Sequence, residues 1–235
     1  MVLSIKVKQQ LTYTALLLLT IFVSSSAYRL IKAEWISFRK AENLSRSGEF
    51  NRAIPLYRQA IDNGLTSPGV FLSLGDAFRA IQRQNEAILL YEDFIHNYPD
   101  NSAVIQQLAE LYEQAGRVDA ALDLYRQHEK AVIADADSMD HLADLYRRQN
   151  RHAEAIEYYY QALKLFPGSL SLQFHLAETL SWQKEYDKSI AVYRSILKEK
   201  PDHRQARIYL ARVLTWHGRF EEAIEEYKIV LKDLT

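Results

Sequence analysis

The sequence predicts an all-α fold, a solenoid of stacked helical hairpins, and two observations support this prediction. The first is an internal repeat of constant period, equal to the step from Tyr125 to Tyr159, which runs from Glu34 to the C-terminus without insertion or deletion. The second is that apolar residues in each repeat follow helical spacing in two stretches separated by a short lapse. A fixed period of this length is typical of solenoids, in which each unit buries its apolar surface against its neighbours.

The repeat is defined by three columns of residues and is clearest in the unit Ala136–Ser169. One column is tyrosine, and the other two hold small residues. The columns are Tyr57, Tyr91, Tyr125, Tyr159, Tyr193 and Tyr227; Ala41, Gly75, Ala109, Ala143, Ala177 and Ala211; and Ala53, Ala87, Ala121, Ala155, Ser189 and Ala223. Small residues let the two helices of a hairpin approach closely, and we expect the tyrosine ring to fill the space beside that contact.

Residues that end helices separate the stretches. Asn150 lies between the two stretches of its unit, and three other units have glycine at that position: Gly48, Gly116 and Gly218. Glycine and asparagine tolerate the left-handed conformation that ends a helix. Proline, which stops a helix at little cost, shares one column after the second stretch: Pro99, Pro167 and Pro201. Each unit is therefore predicted to be a helical hairpin.

These columns resemble those of the tetratricopeptide repeat (TPR) family. The resemblance covers six consecutive units: Glu34–Ser67, Pro68–Asn101, Ser102–Asp135, Ala136–Ser169, Leu170–His203 and Arg204–Thr235. It implies a right-handed α-solenoid and a role in binding other proteins or peptides. Larger residues stand in four units where the family often has alanine: Phe94, His128, Ile196 and Val230. We expect them to adjust packing between neighbours without changing the fold.

Composition and motifs exclude several classes of function. The chain has 235 residues, a net charge of −1 and no cysteine. The near-neutral charge gives no general attraction to nucleic acid, and the absence of cysteine excludes disulfides, cysteine–zinc sites and a thiol nucleophile. No glycine-rich phosphate loop, His-Glu-x-x-His pair or Gly-x-Ser-x-Gly elbow occurs. We predict that the protein is not an enzyme and needs no cofactor or metal.

The N-terminal segment, residues 1–33, favours export or membrane attachment. Lys6 and Lys8 precede the apolar run Leu11–Val23. One interpretation is a secretory signal cleaved after Ser25–Ala27. The other is an uncleaved anchor at Gln9–Tyr28, long enough as a helix to span about one bilayer core. A third is a buried helix packed on the repeats. We favour the anchor, with the repeats in the periplasm, because no helix breaker separates the run from the first repeat.

The resemblance places ligands on the first helix of each unit, which lines a concave groove in TPR proteins. One groove column is acidic: Glu42, Asp76, Glu110, Asp144 and Glu178. This stripe would suit a basic peptide, but Arg79 and Arg147 each follow an acid by three residues, so ordinary helix-surface ion pairs are the favoured interpretation. The two-carboxylate clamp of the family is not matched. Its possible positions hold Phe38, Glu42, Ser73, Ala103 and Gln107.

A second groove feature is aromatic. Its candidate binding residues come from the last two units: Phe174, His175, Trp182, Ile208, Tyr209 and Trp216. Exposed aromatic rings would bind a peptide or a sugar ring by stacking, whereas buried ones would only wedge adjacent hairpins. His141 and His175 occupy equivalent positions in adjacent units, among several acids, and we expect solvated histidines paired with carboxylates rather than a metal site.

The predicted function is a non-catalytic scaffold for protein–protein interaction, tethered to or exported across a membrane. The alternative is a periplasmic module that engages polysaccharide or a polysaccharide-export machine. It rests on the last two units, which resemble TPR segments of bacterial exopolysaccharide synthesis and export proteins. We also expect the uncovered apolar side of Ala223–Leu231 to dock onto another copy, a partner or a further domain, because terminal repeats need a polar outer face.

Overall fold

The computed structural model describes residues 33–232, which form helices and turns with no strand in that range. The first helix, α1, spans 33–46 within these residues. The helices that follow are α2 Phe50–Asp62, α3 Pro68–Ala80, α4 Gln84–Asn97, α5 Ser102–Gln114, α6 Val118–Gln127, α7 Glu129–Ile133, α8 Ala136–Arg148, α9 His152–Leu165, α10 Leu170–Trp182, α11 Tyr186–Glu199, α12 Arg204–Trp216 and α13 Phe220–Lys232. The predicted all-α repeat of helical hairpins is confirmed.

The contacts divide the described residues into two compact units, the first ending at His96 and the second beginning at Asn97. The predicted anchor, Gln9–Tyr28, and the predicted cleavage site lie outside the described residues. Among residues 33–232, none of the helices combines the length and the apolarity that crossing a bilayer requires.

Each first helix of the second unit begins at a side-chain cap. The four capping residues occupy the same position in successive repeats: Asn101, Asp135, Ser169 and His203. Each accepts a hydrogen bond from the backbone N–H three residues later, for example Asp135 from Ser138 at 2.8 Å. Such caps satisfy N–H groups that have no partner within the helix, so they fix where α5, α8, α10 and α12 start.

The loop inside every hairpin contains one residue in the left-handed conformation. The six residues have φ between 57° and 79°: Gly48, Gln82, Gly116, Asn150, Lys184 and Gly218. The helix-ending role predicted for the glycines and Asn150 is confirmed. Gln82 and Lys184 show that the turn is kept even where the residue disfavours it, because the packing of the two helices determines the loop.

In each of the two units, tyrosines of the repeated column lie in the core. Tyr57, Tyr91, Tyr159 and Tyr193 are fully buried, and Tyr125 is nearly so. In the first unit, Tyr91 lies directly against Gly75, so close that an added Cβ would stand 1.9 Å from the tyrosine oxygen. Tyr227 differs, with 37 % of its surface exposed. The apolar side of α13 is likewise exposed at Phe220, Ile224 and Leu231, and its predicted docking onto a partner stays a prediction.

The second helix of the third hairpin is broken at His128, into α6 and α7. His128 stands in the column that holds Ala162 one unit later, and it adopts φ −114° and ψ 33°. Its Nδ1 lies 2.9 Å from the carbonyl oxygen of Pro99, a contact that a methyl group could not make. The expectation that His128 would only adjust packing is therefore incomplete, because the helix is interrupted although the hairpin is kept.

Candidate functional site on the first helices of the second unit

The first helices of the second unit lie side by side and present a shared surface. Direct contacts join α5 to α8, α8 to α10 and α10 to α12. Each of these helices buries its apolar residues, such as Leu142 in α8 and Leu176 in α10, and its remaining side chains lie outside that core. We call the surface they form the first-helix face. It carries two features, an acidic cavity and an aromatic patch.

The acidic cavity has a volume of about 260 Å³ and draws its lining from three hairpins. The lining residues are Gln106 of α5, Asp137, Asp140, His141 and Asp144 of α8, and His175 of α10. They recur at the helical spacing that places side chains on one side of each first helix. The cavity therefore forms because residues on one side of α8 lie next to residues of the neighbouring first helices α5 and α10.

Asp144 is the most strongly neutralised acid of the cavity. Arg147 donates from Nε at 2.8 Å, and Arg148 forms a second ion pair at 2.5 Å. Burial would raise the pKa of Asp144, but the hydrogen bonds and charges of these two arginines outweigh it and hold the pKa below its usual range. Arg147 also reaches Glu178 at 3.9 Å, and Arg148 pairs with Glu113. Both arginines are thus occupied by carboxylates from neighbouring hairpins.

The two histidines of the cavity have different partners. Nδ1 of His141 lies 2.6 Å from the hydroxyl of Tyr125, and its Nε2 lies 3.4 Å from Glu113. Nδ1 of His175 instead lies 2.7 Å from Oδ1 of Asp140. This hydrogen bond raises the pKa of His175, against the opposing effect of burial. Each histidine is therefore paired with a carboxylate. Within residues 33–232, no group of three or more His, Asp or Glu side chains is arranged to hold a metal ion.

The predicted acidic stripe is occupied mostly by local pairs, and only Asp144 and Glu178 are joined across hairpins, through Arg147. In the first unit, Glu42 accepts a hydrogen bond from the Tyr57 hydroxyl at 2.7 Å, and Asp76 pairs with Arg79 at 3.5 Å. In the second unit, Glu110 accepts from the side-chain amides of Gln106 and Gln107 at 3.3 and 3.2 Å. The pairs Asp76–Arg79 and Asp144–Arg147 form as the sequence predicts.

Part of the predicted aromatic patch packs into the protein. Phe174 lies edge-on to Tyr209 at 5.1 Å between ring centroids and to Tyr193 at 5.6 Å, and its ring stacks on His203. Phe174 and Tyr209 contact the core cluster of the last two hairpins, and Ile208 is partly buried. The rings of Phe174 and Tyr209 join adjacent hairpins, so they correspond to the wedging role.

The two tryptophans of the patch remain exposed. Trp182 keeps 60 % of its surface exposed and Trp216 keeps 50 %, at equivalent positions one repeat apart. The guanidinium of Arg212 lies 5.3 Å from the centroid of Trp216 and 5.0 Å from that of Tyr209, and His152 lies beside Trp182 at 6.1 Å. Large apolar rings that stay in water at a repeated position offer surface for stacking.

Four family models match the chain, each described as a tetratricopeptide repeat. They cover residues 38–102, 104–131, 136–179 and 183–234, which is most of the repeat region. The chain belongs to the tetratricopeptide repeat family. TPR proteins generally act as non-catalytic scaffolds that bind other proteins or peptides. The comparison with curated proteins returns no match, so the faint likeness to exopolysaccharide proteins has no support there.

Solved TPR structures share the fold of this chain at low sequence identity. A TPR protein from Parabacteroides merdae is 17 % identical, covers 86 % of this chain and 80 % of its own, and has a TM-score of 0.65. PilF of Pseudomonas aeruginosa is 15 % identical, with coverage of 87 % and 93 % and a TM-score of 0.66. YrrB, described as a TPR protein with an unusual peptide-binding site, is 16 % identical, with coverage of 72 % and 88 % and a TM-score of 0.54.

The assembly of the cavity could not be read from the sequence pattern. The pattern indicated His141 and His175 only as neighbours of several acids, and the contribution of Gln106 was missed. The signal that could have found it is the period of the repeat itself, since residues one period apart lie side by side on adjacent first helices. The spacing does not show which lining residues form hydrogen bonds or ion pairs with each other, because that depends on the distances between side chains of adjacent hairpins.

Proposed function

We propose that this TPR protein is a non-catalytic interaction scaffold that binds a segment of a partner protein along the first-helix face of its second unit. The observation that carries the proposal is the exposure of Trp182 and Trp216 on a face whose other aromatic rings are packed. A few exposed aromatic anchors beside charged groups are the usual source of binding free energy at protein interfaces. Family membership supports protein or peptide binding in general.

We further propose that the N-terminal segment tethers this scaffold to a membrane, with the repeats in the periplasm. The support is the apolar run Leu11–Val23 and its length with flanking residues, about one bilayer core. The intact mass and the membrane fractionation of the full chain expressed in a bacterial host test this. A full-length mass in a pellet that only detergent releases is expected. A mass lacking Met1–Ala27, in the soluble periplasmic fraction, would replace the anchor by a cleaved signal.

A second candidate function is polysaccharide binding at the same tryptophans. Exposed tryptophan rings stack on sugar rings as well as on peptides, and Arg212 adds a hydrogen-bond donor beside Trp216. The acidic cavity next to the patch favours the peptide, because a peptide can carry a positive charge that suits carboxylates and a neutral sugar cannot.

A paired screen separates the two candidates. The full chain in mild detergent is presented to a random-sequence peptide display library and to an array of bacterial glycans. We expect the selected peptides to bind at least tenfold more weakly to the double variant Trp182→Ala/Trp216→Ala, since each substitution removes an exposed anchor. The matched control is Tyr160→Ala/Leu165→Ala, which removes comparable exposed apolar surface from the second helix α9. Glycan binding without peptide binding would favour the second candidate, and no binding of either would refute both.

A further inference from the structure

Helix α13 carries a row of large apolar side chains that stays exposed within residues 33–232. The row consists of Phe220, Ile224, Tyr227 and Leu231, which are 58, 52, 37 and 61 % exposed. We call these four residues the α13 stripe. A contiguous exposed apolar surface on a folded protein commonly marks a place where another molecule binds.

The preceding hairpin shows what kind of element covers these repeat positions. The equivalent residues on α11 are Tyr186, Ile190, Tyr193 and Leu197. Two of them are buried, and the other two pack against the core cluster that α11 shares with α12. Since a helix lying along α11 covers these positions there, a helix lying along α13 is the element that fits the α13 stripe.

The spacing of the α13 stripe reads the same in both directions. Its residues follow one another at intervals of four, three and four positions, which is the apolar spacing of a two-helix coiled coil. A second α13 laid antiparallel therefore matches the first along its whole length. Around a two-fold axis, Phe220 of one copy lies opposite Leu231 of the other, and Ile224 lies opposite Tyr227.

The charges beside the stripe match in the same arrangement. Glu221 and Lys228 lie on its exposed flank, one helical turn pair apart. In the antiparallel arrangement, Glu221 of one copy comes beside Lys228 of the other, and the two-fold axis repeats the contact. A parallel arrangement gives neither charge an opposite partner, because the other flank holds Ala223 and Val230, which are buried within the hairpin. The charge pattern thus favours the antiparallel pair.

Both charges are available for such contacts. Glu221 forms no ion pair within residues 33–232. Lys228 pairs with Glu225 of its own helix at 2.7 Å, but both side chains are more than half exposed. An ion pair in water contributes little free energy, so Lys228 can exchange this partner for one across an interface.

We propose that α13 binds a second copy of this chain, as an antiparallel pair of helices joined by the two α13 stripes and by two Glu221–Lys228 ion pairs. With roughly 200 Å² for each complete side chain, the exposed fractions leave roughly 400 Å² per copy to be buried. That is about half of the surface that each partner buries in a standard stable interface. The dimer is therefore reversible, and it forms at micromolar rather than nanomolar concentration.

This inference goes beyond the proposed function, because it uses a different surface and does not require peptide binding. Its consequence for the scaffold is that one dimer presents two first-helix faces. A partner protein with two binding segments could engage both faces, and the second contact would then form within one complex.

Exchange of the flanking charges tests the pairing. Glu221→Lys leaves two basic residues on the flank, and Lys228→Glu leaves two acidic ones, so each variant alone repels its own copy. Each should self-associate at least about tenfold more weakly than the unaltered chain. An equal mixture of the two variants should associate about as strongly as the unaltered chain, because opposite charges meet again. Sedimentation equilibrium of the full chain in mild detergent, from about 1 to 200 µM, measures this.

Helix α9 supplies the matched control. Glu157 and Lys164 are exposed and have the same spacing as Glu221 and Lys228. Glu157→Lys and Lys164→Glu should therefore associate as the unaltered chain does, alone and in mixture. Equal weakening by these variants would overturn the inference, because net charge would then explain the result. Recovery in the α13 mixture cannot arise from misfolded chains, which makes loss of folding a separate and recognisable outcome.

Cysteine cross-linking tests the direction of the helices. The chain has no cysteine of its own, so single substitutions report single positions. Under mild oxidation, Phe220→Cys chains should link to Leu231→Cys chains carrying a different tag. Neither variant should link efficiently to itself, since copies of one position lie about 16 Å apart along antiparallel helices, beyond the reach of a disulfide. Links within each variant and none between them would indicate a parallel pair and overturn the arrangement.

Other occupants of the α13 stripe give different results. If another segment of the same chain or a different protein covers it, the chain stays monomeric at every concentration and forms no mixed cross-link, which overturns the inference. Self-association that neither charge variant weakens would place the contact elsewhere and overturn it as well. These outcomes leave peptide binding at Trp182 and Trp216 unaffected, so the proposed function stands or falls by its own screen.

Discussion

Replacing Gly75 by alanine tests the packing rule on which the hairpins depend. Gly75 lies in the interior of α3, where an alanine ordinarily stabilises a helix by about 1 kcal/mol relative to glycine. Here the added Cβ would stand 1.9 Å from the hydroxyl oxygen of Tyr91, 2.3 Å from its Cζ and 2.8 Å from its Cε1. Tyr91 is fully buried, so its ring has no solvent into which it can move.

The expected result is a loss of stability where helix propensity alone predicts a gain. An ordinary contact needs about 3.5 Å between heavy atoms, so the ring or the helix has to shift by roughly 1.5 Å. Overpacking of this kind costs typically about 1–3 kcal/mol. After subtraction of the propensity gain, we expect Gly75→Ala to lower the free energy of unfolding by about 1 kcal/mol, with lost hydrogen-exchange protection in α3 and α4.

Gly69→Ala is the matched control in the same helix. A Cβ at Gly69 meets only the Ser67 hydroxyl at 3.7 Å, an ordinary contact, so this variant should be neutral or slightly more stable. Urea unfolding followed by circular dichroism measures both variants on the full chain. Alanine stands opposite the core tyrosine in other hairpins, for example Ala143 opposite Tyr159. If Gly75→Ala is as stable as Gly69→Ala, the Tyr91 ring adopts that geometry at no cost and the argument from its position is wrong.

Three further predictions concern the core, the loops and the cavity. Tyr159→Ala should cost about 3–5 kcal/mol in urea unfolding, because it empties a fully buried ring site; a much smaller cost would show that the core collapses around it. Lys184→Gly should raise the free energy of unfolding by up to about 1 kcal/mol, since lysine is strained at φ 63°. Gly116→Ala, at φ 73°, should lower it for the same reason. Urea midpoints equal to that of the unaltered chain would mean that the loops carry no strain. The hydrogen bond to Asp140 raises the pKa of His175 above its unfolded value of 6.5. The stabilisation by this pair is complete below that pH and is lost as the pH rises through the pKa of His175 in the folded protein. The urea midpoint should therefore fall as the pH rises above about 6.5, and it should fall less in Asp140→Asn. Parallel pH profiles of the two proteins would exclude this pair as the source.

Much of the fold follows from short-range patterns in the sequence. The helices, their loops and the buried tyrosine column are each fixed by residues close together in the chain, and the repeat multiplies the signal because every unit shows it again. The exceptions are visible only in the packing. His128 interrupts a helix because its ring bonds to Pro99, and Tyr227 stays exposed because no described hairpin packs on that side.

The candidate site could be predicted only as a face. Helical spacing placed two tryptophans and two other aromatic residues on the same side of the first helices. In the structure, Trp182 and Trp216 are exposed. Phe174 and Tyr209 instead pack against the core of the last hairpins. Exposure depends on how far one hairpin is turned against the next, a quantity that no residue pattern specifies.

The sequence by itself determined that this protein is a chain of TPR hairpins whose first helices recur once in every repeat. Only the tertiary structure decided which polar groups meet between hairpins. His141 and His175 occupy the same column, yet one bonds a core tyrosine and the other bonds Asp140. The physical reason is that hydrogen bonds act over about 3 Å, so a choice between two partners on adjacent helices depends on interhelical distances that the sequence pattern leaves open.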